Sequence, residues 1–294
     1  MADEHKEKKI TRKKIGLALG GGGAKGLAHI GVIKVLEQYG IPIDFVAGTS
    51  MGAFVGGWYA SHGTTKILEK LFLEIEEDEV LPIRKIVKSG KGILFSDKFV
   101  VRGLEDGLYG RNIENCSIPF KAIATDVENG AEAILDKGPL LEAVRASISL
   151  PLIFKPVKIG ERLLMDGGFV NPVPADVVRQ MGADIVIAVD VSSRWLNIED
   201  EAIKLRNIYS IISKTFSALE HQIAQRILKD ADIVLRPVVL SYDWRDFHKA
   251  EEIISKGADE AKWNIQEIQG KTGYRQKTEK TLFEKITDFY SSEN

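Results

Sequence analysis

Residues 15–52 read IGLALGGGGAKGLAHIGVIKVLEQYGIPIDFVAGTSMG, and this stretch predicts the class of fold. The apolar run at 15–20 is typical of a buried strand, and the segment after the four glycines carries apolar residues at helical spacing up to Gly40. The pattern then repeats, with an apolar strand ending near Thr49 and a small-residue helix beginning near Ser50. Two successive strand–turn–helix units predict parallel strands joined by right-handed crossovers, which is an α/β fold.

The rest of the chain continues this pattern as one domain with helical additions at its C-terminal end. Further strands are predicted at 120–127, 131–135, 183–191 and 232–239, with a hairpin at 157–166. We expect a flexible tail over 1–14, a core over 15–195, a helical part over 196–270 packed on the same domain, and a peripheral tail over 271–294. Residues 81–110, which include Leu94 and Phe95, mix glycines with apolar side chains and are expected to flank the mouth of the site.

The composition excludes several classes of protein. The 40 basic and 42 acidic residues give a net charge of -2, so there is no electrostatic reason to expect a nucleic-acid partner. The single cysteine, Cys116, cannot form an intramolecular disulfide, and no apolar run approaches the ~18 residues of a membrane span. The charged N-terminus lacks the apolar segment of a secretory signal. These features predict a cytoplasmic protein, with peripheral contact at a membrane left open.

The pentapeptide GTSMG (48–52) fits the pattern G-x-S-x-G and stands where a strand is predicted to turn into a helix. Such a turn forces Ser50 into a strained backbone conformation, and Gly48 and Gly52 avoid Cβ clashes around it. The serine hydroxyl then projects from the end of the strand, and the start of the helix favours negative charge at that point. The five-residue pattern G-x-S-x-G also occurs by chance. The prediction that Ser50 is a nucleophile therefore depends on the strand and the helix predicted on either side of it.

The glycine-rich loop GGGGAKG (20–26) also lies between a predicted strand and a predicted helix. Its backbone N–H groups would face the same edge of the sheet, where they can hold a phosphate or an oxyanion. As G-x-G-x-x-G (Gly21, Gly23, Gly26), with Asp44 about 20 residues on, it also resembles a dinucleotide-binding motif. A P-loop is excluded because the lysine precedes the last glycine. A tight turn for packing explains one or two glycines but not four in a row.

The third motif, DGG (166–168), follows the second strand of the predicted hairpin. An aspartate at a strand end beside two glycines can approach another backbone closely, which makes Asp166 a candidate base. Taken alone, the motif is more typical of a turn aspartate that hydrogen-bonds its own backbone. Asp126, Asp184 and Asp190 also lie at or near predicted strand ends, so position alone does not select Asp166.

Together the three motifs resemble the pattern of the patatin-like phospholipase family, including its bacterial single-domain members. That pattern is a glycine-rich loop with a basic residue, then G-x-S-x-G, then a downstream D-G-[GA]. The segment RASISLPLIF (145–154) matches the small-residue helix and proline that the family places between the last two motifs. The similarity runs from about Ile15 to Val191. It departs from other members at Gly20, where plant members often have Asp or Ser, and at Lys25, where Arg is common.

The resemblance implies both a fold and a chemistry. The fold would be a three-layer α/β sandwich with a mostly parallel central sheet between helices, related to but distinct from the α/β-hydrolases. The chemistry would be hydrolysis of a lipid or other carboxylic ester by a serine esterase or phospholipase, with Ser50 as nucleophile, Asp166 as base and no metal or organic cofactor. The loop would supply oxyanion-binding N–H groups at Gly21, Gly22 and Gly23, and Lys25 would lie near the substrate headgroup. The other motif positions are Gly26, Gly48, Gly52, Gly167 and Gly168.

Three alternatives stay open from the sequence. The chain could be a NAD- or nucleotide-binding protein that uses the glycine loop, or a noncatalytic regulatory adaptor on the same fold. It could also be a hydrolase with a Ser–His–Asp triad. His248 is the best triad candidate because it follows Ser50 and Asp190 in the order that α/β-hydrolases use, yet it stands at a predicted helix start. The other histidines fall in the tail or within helices and are His5, His29, His62 and His221.

Overall fold

The computed structural model describes residues 12–76, 107–151, 154–192 and 208–274. The eight strands of its sheet are β1 (Ile15–Leu19), β2 (Phe45–Thr49), β3 (Phe120–Asp126), β4 (Glu132–Leu135), β5 (Val157–Ile159), β6 (Arg162–Asp166), β7 (Ile185–Val189) and β8 (Ile233–Leu235). The helices include α1 (Ala28–Gln38), α2 (Met51–His62), α3 (Lys66–Leu73), α4 (Leu140–Ser147), α5 (Ala175–Gln180), α6 (Ile208–Ile227), α7 (Ala250–Trp263) and α8 (Ile265–Thr272). None of the helices in these ranges is long and apolar enough to cross a membrane.

The centre of the sheet is parallel, as the repeated strand–turn–helix pattern predicts. Strands β3, β2, β1, β7 and β8 lie side by side in that order and run in one direction. The antiparallel strands β4 and β6 both pair with β3, and β5 pairs with β6 as the predicted hairpin. Because β8 hydrogen-bonds to β7, the C-terminal part of the chain adds a strand to the same sheet.

Side chains that alternate along each strand divide the core into two layers. In β1, Leu17 and Leu19 belong to the apolar cluster that includes α1, α2 and α7, whereas Ala18 between them packs into the cluster that includes α5 and the end of α6. Successive residues of a strand point to opposite faces, so both faces of the sheet are covered. The predicted three-layer α/β architecture is confirmed.

Two boundaries differ from the sequence prediction. Residues 12–14, assigned to the mobile tail, are attached to the domain: the Arg12 guanidinium donates to Asp44 at 2.6 Å, and the Lys14 N–H donates to Asp184 at 2.7 Å. The amphipathic pattern of residues 64–79 predicts one helix, but α3 ends at Leu73, where a run of acidic residues would oppose the negative end of the helix dipole. Its last predicted residues, and the segment 81–106 expected near the site, lie outside the described residues.

Helices α1 and α7 approach each other closely because a glycine stands at the contact on each of them. A Cβ on Gly31 would collide with the carbonyl oxygen of Ile254, and a Cβ on Gly257 would collide with the carbonyl oxygen of Ala28. Each glycine therefore lets the backbone of one helix rest on the other. Helix α1 follows the glycine-rich loop. The contact therefore packs the element next to the loop against α7, in the C-terminal part of the chain.

We expect Gly31→Ala and Gly257→Ala each to lower the free energy of unfolding by about 1–3 kcal/mol, because the added methyl group forces the helices apart. Gly270→Ala in α8 is the control, since nothing lies within 4 Å of a Cβ there. That change should be neutral or stabilise by up to ~1 kcal/mol through helix propensity. Chemical denaturation of the three variants measures the difference, and equal stability of all three would contradict the contact.

Candidate active site

The hydrogen-bond register of β3 brings Ser50 and Asp166 together. Strand β2 ends with Thr49 paired to Ile123, and the antiparallel β6 ends with Asp166 paired to the next residue of β3. Since β4 pairs with β3 alongside both of them, β2 and β6 share the opposite edge of β3. The carboxyl ends of two strands therefore meet end to end, and Ser50 is the first residue beyond one of them.

Ser50 occupies the strained turn that the G-x-S-x-G pattern predicts. Its φ of 53° makes it the only non-glycine residue with positive φ in the described ranges, a conformation that costs about 1–3 kcal/mol. A Cβ on Gly48 would collide with the carbonyl oxygen of Gly52, and a Cβ on Gly52 would collide with that of Leu19. The two glycines thus let α2 start directly above the strand ends, and the predicted strand–turn–helix around Ser50 is confirmed.

Ser147, at the end of α4, anchors the turn from beneath. The N–H of Ser50 donates to the Ser147 hydroxyl at 2.9 Å, and that hydroxyl donates to the carbonyl of Ile123 at 2.5 Å. Two residues on, the carbonyl of Ser149 accepts the N–H of Asp166 at 3.0 Å. Ser147 is fully buried, so no water replaces its hydroxyl. One short segment therefore fixes the backbone of both Ser50 and Asp166.

Asp166 is a buried carboxylate held by two donors. Its Oδ1 accepts the N–H of Gly168 at 2.8 Å, and the Ser50 hydroxyl forms a side-chain hydrogen bond with the carboxylate. Burial raises the pKa of Asp166 to about 6, and the two hydrogen bonds moderate that rise by stabilising the charged form. A Cβ on Gly167 would collide with the carbonyl oxygen of Ile123, so the close backbone approach expected of the DGG motif is present.

The glycine-rich loop faces Ser50, but its N–H groups are used differently. The N–H of Gly21 donates to the carbonyl of Pro172 at 2.9 Å, so the sequence expectation that Gly21 supplies an oxyanion donor needs correction. Gly22 and Gly23 have φ of 157° and 57°, line the cavity beside Ser50, and have no backbone acceptor for their N–H groups among the described residues. Of the three glycines, Gly22 and Gly23 therefore stay candidates for oxyanion donors.

A cavity with about 980 Å³ of empty space, counting its open mouth, joins these groups. Its polar members are Ser50, Asp166, Lys25, Ser192, Ser217 and Glu220. Most of the remaining wall is apolar and includes Phe54, Ile148, Leu150, Phe154, Phe216 and Trp244. A largely apolar wall with a few convergent polar groups is typical of a site for a ligand with a hydrocarbon part.

Two ionisable side chains of this cavity, Lys25 and Glu220, are more buried than the sequence suggests. Burial lowers the pKa of Lys25, because the charged form loses its hydration. The nearby carboxyl groups of Glu220 and Asp243 partly offset this effect by favouring the charged form. Glu220 on α6 is buried, and burial together with the nearby Asp166 raises its pKa to about 8. The sequence carries no signal for Glu220, because one acid on a charged amphipathic helix is typical of a solvated face.

The other aspartates near strand ends are engaged in local structure. Asp126 accepts the N–H of Glu128, and Asp190 accepts the N–H and hydroxyl of Ser192. Asp184 accepts the N–H of Lys14. Asp166 alone among the four candidates lines the cavity.

Asp44, which the dinucleotide interpretation requires, lies on the wrong edge of the sheet. It precedes β2, accepts the N–H of Ile15, and binds Arg12. Nucleotides in such folds bind at the carboxyl ends of the strands, whereas Asp44 stands at the amino end. The structure therefore gives no support to dinucleotide binding.

None of the histidines in the described ranges lines the cavity. His29 is buried against the carbonyl of Gly20, with Nε2 2.8 Å from the oxygen, and burial lowers its pKa to about 4. His62 lies in the last turn of α2, His221 lies on α6, and His248 stands in the turn before α7. The structure therefore brings Ser50 together with a carboxylate and not with an imidazole.

Comparison with known proteins points to one family. The family model described as patatin-like phospholipase matches residues 17–179, which is more than half of the chain. Patatin-like phospholipase domain-containing protein 7 of Rattus norvegicus is 34% identical over 276 residues, which are 84% of this chain and 20% of that protein. Patatin-like phospholipase domain-containing protein 6 of Homo sapiens is 35% identical over 203 residues, which are 66% of this chain and 15% of that protein.

An NTE family protein of Mycobacterium bovis is 34% identical over 206 residues, which are 63% of this chain and 55% of that protein. The chain therefore spans about a fifth of the length of the rat protein and about half of the mycobacterial one. Among solved structures, VipD from Legionella pneumophila aligns with a TM-score of 0.48 and 13% identity over 87% of this chain and 67% of that chain.

We expect Ser147→Ala to slow labelling of Ser50 by a fluorophosphonate by about tenfold or more, because the strained turn loses its anchor. The buried N–H of Ser50 and carbonyl of Ile123 also lose their partner, which should cost about 1–3 kcal/mol of stability. Ser61→Ala is the control, since the hydrogen bonds of that hydroxyl, to the carbonyl of Trp58 and to His62, both lie within α2. Gel fluorescence and chemical denaturation provide the two readouts, and an unchanged labelling rate in folded Ser147→Ala would contradict the anchoring role.

Proposed function

Since this chain belongs to the patatin-like phospholipase family, we propose that it hydrolyses carboxylic esters of lipids, with Ser50 as nucleophile and Asp166 as general base. The observation that carries the proposal is the meeting of the two side chains. The hydroxyl of Ser50, a residue with a strained backbone, bonds to the buried Asp166 carboxylate, and both side chains line a largely apolar cavity. A nucleophile within hydrogen-bonding reach of an oriented base is the arrangement that covalent ester hydrolysis requires.

The first half of the reaction follows from this contact. Asp166 accepts the proton of Ser50 as the serine oxygen attacks the ester carbonyl. When the tetrahedral intermediate collapses, the bond to the leaving alcohol breaks and Asp166 returns the proton to that alcohol. The acyl group remains on Ser50. In the second half, water gives a proton to Asp166 and attacks the acyl carbonyl. When this second intermediate collapses, the acyl bond to Ser50 breaks, Asp166 returns the proton to the serine oxygen, and the fatty acid leaves.

A carboxylate is a weak base for a hydroxyl, so its surroundings must assist. Burial raises the pKa of Asp166 to about 6, which makes it a stronger base than an exposed aspartate while leaving it ionised near neutral pH. In this proposal the N–H groups of Gly22 and Gly23, which line the cavity with Ser50, would stabilise the oxyanion together with the start of α2 at Met51. Such donors typically supply a factor of about 10²–10³ each.

The cavity wall favours a lipid among possible esters. Aromatic and aliphatic side chains from α2, the segment after α4, and α6 would surround an acyl chain next to Ser50. Lys25 supplies a cationic group in the same cavity and would lie beside a phosphate or another polar part of the headgroup.

We expect Ser50→Ala and Asp166→Asn each to reduce hydrolysis of a p-nitrophenyl ester by several orders of magnitude, because one removes the nucleophile and the other the base. Fluorophosphonate labelling should be lost in Ser50→Ala and strongly slowed in Asp166→Asn. Near wild-type turnover in either folded variant would contradict the dyad. Failure of the unmodified protein to react with the probe at all would favour a noncatalytic adaptor.

His248→Ala and His221→Ala serve as matched controls for this experiment. Both residues follow Ser50 in the chain, yet neither lines the cavity. Each variant should keep most of the activity, and an inactive but folded His248→Ala would restore the Ser–His–Asp triad as the mechanism.

The pH dependence offers an independent check on the base. We expect kcat/KM to fall about tenfold per pH unit below pH 6, because protonated Asp166 cannot accept the serine proton and its pKa lies near 6. Stopped-flow assays with an uncharged ester give this acid limb. A limb centred near pH 4, the range of an unperturbed carboxyl group, would indicate that the base is not the buried Asp166.

A further inference from the structure

Glu220 is a buried carboxyl group that the reaction above does not use. Its helix, α6, crosses the DGG turn, where the rings of Phe216 and Phe169 lie 4.3 Å apart between centroids. A Cβ on Gly168 would collide with Glu220 Oε1, and a Cβ on Gly21 would lie 3.3 Å from the same oxygen. Glycine at these two positions makes room for the carboxyl group between the base and the glycine-rich loop.

The same two glycines show how near Glu220 lies to the reacting groups. A Cβ on Gly168 would lie 3.2 Å from Asp166 Oδ1, and a Cβ on Gly21 would lie 3.3 Å from the Cβ of Ser50. Glu220 also lines the cavity with Lys25. A charge on this side chain would therefore be felt by any ligand that reaches Ser50.

Charged groups face Glu220 from three other elements. Asp166 at the end of β6 and Asp190 beyond β7 disfavour its ionised form, whereas Lys25 on the loop favours it. Asp190 is itself committed to Ser192 and lies 3.6 Å from Arg236. On α6, the neighbouring His221 reaches Ser192 Oγ at 3.4 Å, and Asp243 faces Lys25 from the segment before α7.

These surroundings give the two carboxyl groups of the cavity, Asp166 and Glu220, different pKa values. Asp166 is stabilised as an anion by the Gly168 N–H and the Ser50 hydroxyl, and its pKa is about 6. Burial and the charge of Asp166 raise the pKa of Glu220 to about 8. Near pH 7 Asp166 is therefore the ionised carboxyl group of the pair and Glu220 the neutral one, and Lys25 is a basic group in the same cavity. Above pH 8 a second anion appears.

Resting on the proposed function, we propose that Glu220 is a specificity-determining residue of this cavity. While Glu220 is neutral the cavity accepts an anionic headgroup such as a phosphodiester beside Lys25, and once Glu220 ionises the cavity rejects it. An uncharged ligand is accepted in either state. The site would thus select its substrates by charge as well as by acyl chain, and the selection would change with the ionisation of Glu220.

Calorimetric binding of dihexyl phosphate, whose single negative charge is constant over this range, tests the proposal without any catalytic step. Methyl dihexyl phosphate, the uncharged triester of the same shape, is the matched ligand. For the unmodified protein we expect the Kd of the anion to rise about tenfold or more between pH 7 and pH 10, and the Kd of the triester to stay constant. Glu220→Gln, which is isosteric and neutral, should largely remove the rise.

Lys25 can also lose its charge at high pH, so two further variants separate it from Glu220. In Lys25→Met the alkaline rise in Kd should persist, because Glu220 still ionises. In Lys25→Met combined with Glu220→Gln it should vanish. A flat profile in Lys25→Met would show that the lysine titrates and would overturn the proposal, as would no binding of the anion to the unmodified protein at pH 7. Unchanged affinity of Glu220→Gln for the triester shows that this variant keeps its cavity, and none of these outcomes depends on Ser50 being catalytic.

Discussion

The pairing of β2 and β6 on one edge of β3 is the constraint from which the site follows. Both strands are fixed by backbone hydrogen bonds to consecutive residues of β3, and a shift of one residue would turn every side chain to the opposite face. The separation of Ser50 and Asp166 is therefore set by a sheet and not by flexible loops. The Ser147 hydroxyl and the Ser149 carbonyl extend the same constraint to the two residues themselves. Precise placement of this kind is what a reaction between two side chains depends on.

Helix α6 covers the turn after Asp166 and lines one side of the cavity. Its Phe216 packs on the turn after Asp166, and its Glu220 lies over Gly168. Desolvation raises the pKa of both carboxyl groups, but only Asp166 has hydrogen-bond donors that favour its anion. The same burial thus produces one ionised and one neutral acid near pH 7, which is how related side chains acquire different roles in one site.

The sequence predicts most of the fold because its signals are local. Strand and helix periodicity, the glycine turns and the order of three motifs identify β1, β2, β6 and the turn at Ser50. Contacts between distant segments are not encoded in such patterns. The contact between α1 and α7 and the bond from Gly21 to Pro172 each join parts of the chain more than 100 residues apart, and Glu220 is buried against Gly168 and Gly21 from two different segments. The sequence does not predict the attachment of residues 12–14 for the same reason. A run of lysines and arginines is typical of a solvated segment, and its partners Asp44 and Asp184 lie far away in the chain.

The residues that line the cavity come from two parts of the chain, and this has a consequence for how the cavity can vary. The region that the family model covers, 17–179, holds the serine, the aspartate and the glycine loop, whereas Phe216, Glu220 and Trp244 enter the same cavity from beyond it. Substitutions at these three later positions would change the shape and charge of the cavity while Ser50, Asp166 and the glycine-rich loop stay as they are. The shape of the cavity can therefore vary independently of the segment that defines the family.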